Sequence, residues 1–288
     1  MKTVIIDIKN PTIKVSSQTL VVNSRKIPFN LIESIVIFSN CTLDSKDINK
    51  ITSLGISIVL VDYKLNSTLI ISTKAKNTQL KMAQYNAFYT KRLAIAKKIL
   101  SLKISSHISH LQHLGIFLPK KDILNKIDNA SSIEILLGIE GSFSKLYFNN
   151  FFSKAPKLWH QNKRTKRPPK DPLNALLSFA YTLYYNHISI QLIATGFEAS
   201  IGFLHTPFRD HYALSSDILE IFRADINAFV LEQIEQKVIT LTDFTKKEGV
   251  YLRYDGRKKL YKNWQSFVES KKLDLTKNLY DLKESFND

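Results

Sequence analysis

Over the first quarter of the chain, the apolar positions fall in short runs rich in β-branched residues, at 4–8, 19–22, 34–38, 56–61 and 68–72. Runs of this length predict β-strands when turn formers such as Asn10-Pro11 and Asn23-Ser24 separate them. One short helix is expected at about 45–54. From about residue 76 the period becomes helical. Leu80, Met82, Ala83, Ala87, Leu93, Ala94, Ala96, Ile99 and Leu100 predict a long amphipathic helix. A second apolar stripe predicts a helix over 130–152. A third follows Asp171-Pro172 over 173–194, with an aromatic face at Phe179, Tyr181, Tyr184 and Tyr185 that reads as core packing. A fourth helix is expected to start at Ser215 or Ser216, whose hydroxyl can cap free N–H groups, and to run to about 238. Asp255-Gly256 predicts a tight turn, with a charged closing helix from about 260. The expected fold is α+β. A small, sandwich-like β-domain spans 1–75 and a larger all-α domain spans 76–288, with no internal repeat.

Charge changes the picture. The chain of 288 residues has 41 Lys and Arg against 25 Asp and Glu, a net charge of +16. Self-repulsion of that size opposes compactness and points to a polyanionic partner. No run of about 18 apolar residues marks a membrane span, and the first residues read as a strand, not a signal peptide. Cys41 is the single cysteine, which excludes an internal disulfide and a cysteine-based zinc cluster. These features predict a soluble, cytoplasmic protein that binds nucleic acid. Between Asp62 and Asp122 there are eleven basic residues and no acidic one. The stretch 153–170 adds seven basic residues and no acidic one, with prolines that break helix. It reads either as a charged linker or as a mobile arm that settles on phosphates. Trp159 and His160 are candidates for stacking on bases.

Candidate chemistry sits in two places. In the first, Glu140 shares an apolar stripe with Leu136, Leu137, Phe143, Ser144 and Tyr147. A carboxylate there must be paired or bind a metal, and a salt bridge to Lys or Arg and a metal ligand are equally open readings. Gly138 and Gly141 flank it, each costing about 1 kcal/mol in mid-helix, so close packing is expected. In the second, His205 stands on a turn that Pro207 breaks, and Asp217 and Glu220 follow in the next helix. Residues three apart lie about 60° from one another on a helix and can converge. Imidazole with carboxylates suits Mn²⁺ or Mg²⁺. Asp217 can equally be an acid opposing the helix dipole, and His205 a hydrogen-bonded core histidine.

Three segments together carry a resemblance. They are the Gly138-Ile-Glu-Gly helix, the run Arg167-Pro-Pro-Lys-Asp-Pro-Leu-Asn-Ala-Leu-Leu-Ser-Phe-Ala-Tyr, and Gly202-Phe-Leu-His followed by Ser216-Asp-Ile-Leu-Glu-Ile-Phe-Arg. In this order they resemble the CRISPR-associated integrase family, over nearly the whole chain. The resemblance implies a metal site of Glu140, His205 and Glu220, with Asp217 as a supporting acid and Mg²⁺ or Mn²⁺ as cofactor. Glu220 stands where many relatives have aspartate, and Ala224 where many have proline.

The implied reaction is attack by the 3′-hydroxyl of a short DNA fragment on a phosphodiester at the edge of a CRISPR repeat, inserting a new spacer. With water as nucleophile, the same site cuts branched DNA. Lys163, Arg164, Lys166 and Arg167 are expected to hold backbone phosphates. The implied partners are double-stranded DNA with free 3′ ends and CRISPR repeat DNA. A second copy of the chain forms a homodimer, with the 1–75 domain as its contact, and a small ferredoxin-like subunit bridges dimers into a heterohexamer. Chain length and Glu220 resemble members from systems with a single RNA-guided effector nuclease. That nuclease and a DNA-end-binding accessory protein extend the partner set. Two other readings stand beside this one. They are a structure-specific repair nuclease and a non-enzymatic basic DNA scaffold whose glutamates sit in buried ion pairs.

Overall fold

The computed structural model describes residues 2–62, 65–70, 77–206 and 211–287. Among the described residues, seven strands precede the first long helix. β1 (Lys2–Ile6), β5 (Ile32–Ile37), β6 (Ser57–Val61) and β7 (Ser67–Ile70) form one sheet in the order β1-β5-β6-β7. The first two pairings are parallel and the last antiparallel. β2 (Ile13–Ser16), β3 (Thr19–Val22) and β4 (Arg25–Pro28) form an antiparallel meander. The sequence pattern missed β2 and β4, whose alternating Lys, Ser and Arg dilute the apolar signal. Parallel pairing of β5 and β6 needs a crossover, and α1 (Ser45–Ser53) supplies it, capped by Asp44. Ile6, Ile13, Leu20, Phe29, Ile35, Ile51 and Ile58 fill the core between the two sheets. The Ser72 end of the fifth expected strand lies outside the described residues.

The expected long helix from 80 is two helices, α2 (Thr78–Thr90) and α3 (Arg92–His113). They break at Lys91, whose φ of −130° is not helical. The break turns Gln84 of α2 toward the 198–201 backbone, where its Nε2 donates to Glu198 O and Ile201 O. α4 (Lys120–Asp128), which the pattern did not single out, precedes α5 (Ile133–Lys154). α6 (Pro172–Thr195) has Asp171 as N-cap, accepting from Asn174 N at 2.8 Å, and Pro172 in its first turn.

α7 (Ala213–Glu235) starts earlier than expected, and no side chain caps it. The serine hydroxyls are used elsewhere: Ser215 meets Ser189 of α6, and Ser216 meets His211. A small hairpin follows, β8 (Phe244–Lys246) with β9 (Val250–Leu252), then α8 (Tyr254–Ser270) and α9 (Lys272–Glu284). Asp255-Gly256 is therefore the first turn of a helix, not a tight turn. A Cβ at Gly256 would lie 2.7 Å from Leu252 Cδ1 and 2.9 Å from Asp243 Cβ, so glycine serves close packing there. α3 packs against α5 and α7, and α6 packs against α7. The α+β class expected from the sequence is the one observed.

Candidate active site

The site forms where α3, α5 and α7 meet. Each helix buries an apolar stripe, and the three stripes bring Lys103, Glu140 and Glu220 together. Ile99, Leu100, Ile104 and Ile108 place Lys103 in the core on α3, at 2% exposure. Phe143 and Tyr147 turn the same face of α5 inward beside Glu140, while Ile218 and Ile221 do so for Glu220 on α7. The two carboxylates converge on Lys103. Its Nζ donates to Glu140 Oε1 and lies 2.6 Å from Glu220 Oε2 and 3.2 Å from Ser144 Oγ. Ser144 Oγ also donates to Glu140 Oε1 at 2.7 Å. Arg223 Nε donates to Glu220 Oε1 at 2.8 Å, and its guanidinium lies 4.4 Å from the Tyr181 ring centre. Burial opposes both carboxylates, but the cations win. Arg223 and Lys103 hold Glu220 well below the usual carboxylate range, and Lys103 lowers Glu140.

His205 and Asp217 form the neighbouring unit. Asp217 has no exposed surface. It accepts from the backbone N–H groups of Phe203, Leu204 and His205 at 2.6, 3.0 and 2.9 Å, and faces His205 Nδ1 at 2.7 Å. Arg92 Nε, at the start of α3, donates to Phe203 O at 3.0 Å and pins the same loop. A Cβ on Gly202 would lie 2.9 Å from Asp217 Oδ2, so a glycine lets the loop reach the carboxylate. Burial disfavours the imidazolium, but the hydrogen bond and charge of Asp217, with Glu220 beyond, raise the His205 pKa above its ordinary value. Ring geometry leaves Nε2 pointing away from Asp217. Asp217 and Glu220 therefore do not converge on one point, as their spacing had suggested. One orients the histidine and the other faces Glu140. Pro207, expected to end the His205 turn, lies outside the described residues.

The donors suit a divalent cation. Two carboxylates and an imidazole orientated by a carboxylate are a recurrent metal set. Glu220 Oε2 is buried and, among the described residues, has no partner in hydrogen-bond geometry. As placed, no three His, Cys, Asp or Glu side chains among the described residues already stand close enough to hold a metal. Lys103 Nζ fills the space between the two carboxylates.

The basic arm is mostly folded. Trp159 and His160 are buried, with His160 stacked 5.1 Å from Phe152, so neither is exposed to stack on bases. Arg164 points inward, donating to Thr165 O, to Asn174 Oδ1 at 2.9 Å and to Ser178 Oγ at 3.2 Å. Burial lowers its pKa to about 10. That use replaces the phosphate contact expected of it. Lys163, Lys166 and Arg167 are exposed. Desolvation of its ammonium and the nearby Arg223 and Arg164 lower the Lys166 pKa, against Glu220 and Glu140. Lys166 thus overlooks the carboxylates. Gly138 and Gly141 also differ from expectation: nothing lies within 4 Å of a Cβ built on either.

Nothing in the sequence assigned Lys103, Ser144, Arg223 or Tyr181 a role in the site. The available signal was a lysine on an apolar stripe, Ile99-Leu100-Lys103-Ile104, which is as costly unpaired as Glu140.

Residues 3–266 match the model of the CRISPR-associated protein Cas1 family. The chain belongs to that family. A CRISPR-associated endonuclease Cas1 from Thermodesulfovibrio yellowstonii is 31% identical over 295 residues, covering 94% of this chain and 93% of the relative. A CAS1 protein from Thermotoga maritima has the same fold, with a TM-score of 0.93 at 22% identity over 99% of this chain and 97% of that one. A casposase bound to its integration product aligns with a TM-score of 0.83 at 22% identity, over 93% and 83% of the two chains. The family that the sequence motifs resemble, the CRISPR-associated one, is the family of this chain.

Proposed function

We propose that this enzyme inserts short DNA fragments into a CRISPR array at a site built from Glu140, His205 and Glu220. One observation carries the reading. Two carboxylates from separate helices meet at one point beside a histidine whose Nδ1 is held by a buried aspartate.

Glu140 Oε1, Glu220 Oε2 and His205 Nε2 would hold Mg²⁺ or Mn²⁺. When bound, the ion supplies Lewis acidity toward a phosphate oxygen and the attacking hydroxyl. Asp217 fixes the imidazole, and Arg223 fixes the Glu220 carboxylate from behind. Lys163, Lys166 and Arg167 bind the DNA backbone, while Arg164 braces the segment that carries them. The 3′-oxygen forms a new phosphodiester as the repeat strand's P–O3′ bond breaks, so one ester replaces another. The homodimer, joined through the β-rich N-terminal region, supplies two such sites. A small ferredoxin-like subunit links dimers, and an effector nuclease and a DNA-end-binding protein feed the reaction in the cytoplasm. Among the described residues no helix is long and apolar enough to cross a membrane.

The test is strand transfer of a short duplex with free 3′-hydroxyl ends into a plasmid carrying a CRISPR repeat. It is run with Mn²⁺ and the small subunit, with wild type beside Glu220→Ala. Joining by wild type alone is the expected result. Equal joining by both refutes the assigned site. Cutting of branched DNA without joining transfers the site to repair.

A further inference from the structure

Lys103 is the only buried lysine among the described residues. Its ammonium lies against Glu140 Oε1, Glu220 Oε2 and Ser144 Oγ. Two features go beyond a structural ion pair. First, the bridged oxygens come from α5 and α7, and both touch one atom. A small divalent cation bound to them at about 2.0–2.1 Å must take the space that Nζ fills, because cation and ammonium repel and cannot share it. Second, Glu220 Oε2 meets Nζ at 2.6 Å but outside hydrogen-bond geometry. Replacing the lysine by another cation gives up no well-aligned bond at this oxygen, and the carboxylate hydrogen bond that it does break is the one to Glu140, which then faces the metal.

Building on the metal-site reading above, we propose that Lys103 is the internal counter-cation of the Glu140–Glu220 pair and that a divalent metal displaces it on binding. In the metal-free protein the ammonium cancels repulsion between two buried carboxylates and keeps them at nearly the spacing a cation needs. The metal must eject it, so Lys103 sets the affinity of the site.

Mn²⁺ binding to the metal-free, full-length protein, read from the electron paramagnetic resonance signal of free Mn²⁺, tests this. Lys103→Met should bind at least about tenfold tighter than wild type, whereas Glu220→Gln should lose binding. Lys166→Met is the control. It removes a charge within reach of the same carboxylates without touching them, and should gain less than about threefold. Acetylation of Lys103 in the wild type, followed by peptide mass spectrometry, should rise several-fold at saturating Mn²⁺. This arm decides even if Lys103→Met fails to fold. A Lys103→Met gain no larger than that of Lys166→Met, or unchanged acetylation with Glu220→Gln still metal-deficient, overturns the displacement. Wild-type Mn²⁺ affinity in Glu220→Gln overturns the metal-site reading beneath it.

Discussion

Asp217 shows how one residue acquires a role that its position in a helix does not reveal. An acid early in a helix needs no explanation beyond the helix dipole. Here the carboxylate is buried and gathers three successive N–H groups of the His205 loop as well as the imidazole. It organises the loop and directs the ring.

A second set of residues stands behind the site. Tyr181 OH donates to Asn227 Oδ1, and Asn227 Nδ2 donates to Tyr147 OH at 2.8 Å. Tyr147 can then give its own proton to His110 Nδ1, 2.7 Å away, which requires a neutral histidine. Burial, with His113 nearby, lowers the His110 pKa to about 4. Burial and Lys103 lower His107 to about 3. Above the ordinary histidine value of 6.5 both folded and unfolded chains are neutral here and the full stability is present. Below it the unfolded chain takes up protons that the folded one refuses, so stability falls with pH. His205, raised by Asp217, works in the opposite direction. The difference between wild type and His110→Gln isolates one group. The variant should lose less melting temperature than wild type between pH 6.5 and 4.5. Glu140 and Glu220, with lowered pKa values, enter only below that window.

At the scale of elements, α5 repays attention for what its glycines do not do. Gly138 and Gly141 lie on the exposed face, and a Cβ on either meets open space. Gly138→Ala and Gly141→Ala should each stabilise the protein by roughly 0.5–1 kcal/mol in denaturant unfolding, through helix propensity alone. Gly256→Ala should destabilise it, because the added methyl collides with Leu252 and Asp243. All three glycines sit within helices, and only their surroundings separate them. The break at Lys91 belongs to this scale too. Apolar periodicity runs through it, and the contacts of Gln84 and Arg92 to the loop before α7 give the two halves different directions.

Across the whole molecule, a buried clasp joins the N-terminal sheet to the C-terminal helices. Arg257 of α8 grips Asp7, just beyond β1, through Nε at 2.6 Å and Nη2 at 3.0 Å, and Tyr261 OH donates to the same carboxylate at 2.6 Å. Asp7→Ala leaves a largely buried guanidinium without its partner. It should cost roughly 3 kcal/mol in chemical denaturation and raise amide exchange in β1 and α8 before the α3–α7 core. Unchanged exchange in α8 would show that the clasp does not couple the two ends. The basic arm spends Arg164 on its own fold and leaves Lys163, Lys166 and Arg167 exposed.

Composition and periodicity by themselves determined the α+β class, most helices and the expectation of a polyanionic partner, and they left Glu140, His205, Asp217 and Glu220 as candidates with ligand chemistry. These depend on local spacing and side-chain type, which the chain carries wherever it folds. A stripe of apolar residues fixes which face of a helix is buried, but not what stands opposite. Only the tertiary structure could set Lys103 against Glu140, 37 residues away, and bring Glu220 to the same ammonium. Glu140 had been open between a salt bridge and a metal ligand. The fold supplies the salt bridge and, in the same place, the pair of oxygens a metal would use. Tertiary contacts likewise divided Asp217 from Glu220, turned Arg164 inward and buried Trp159 and His160. Each of these outcomes depends on a neighbour brought near by folding, and spacing along the chain does not encode it.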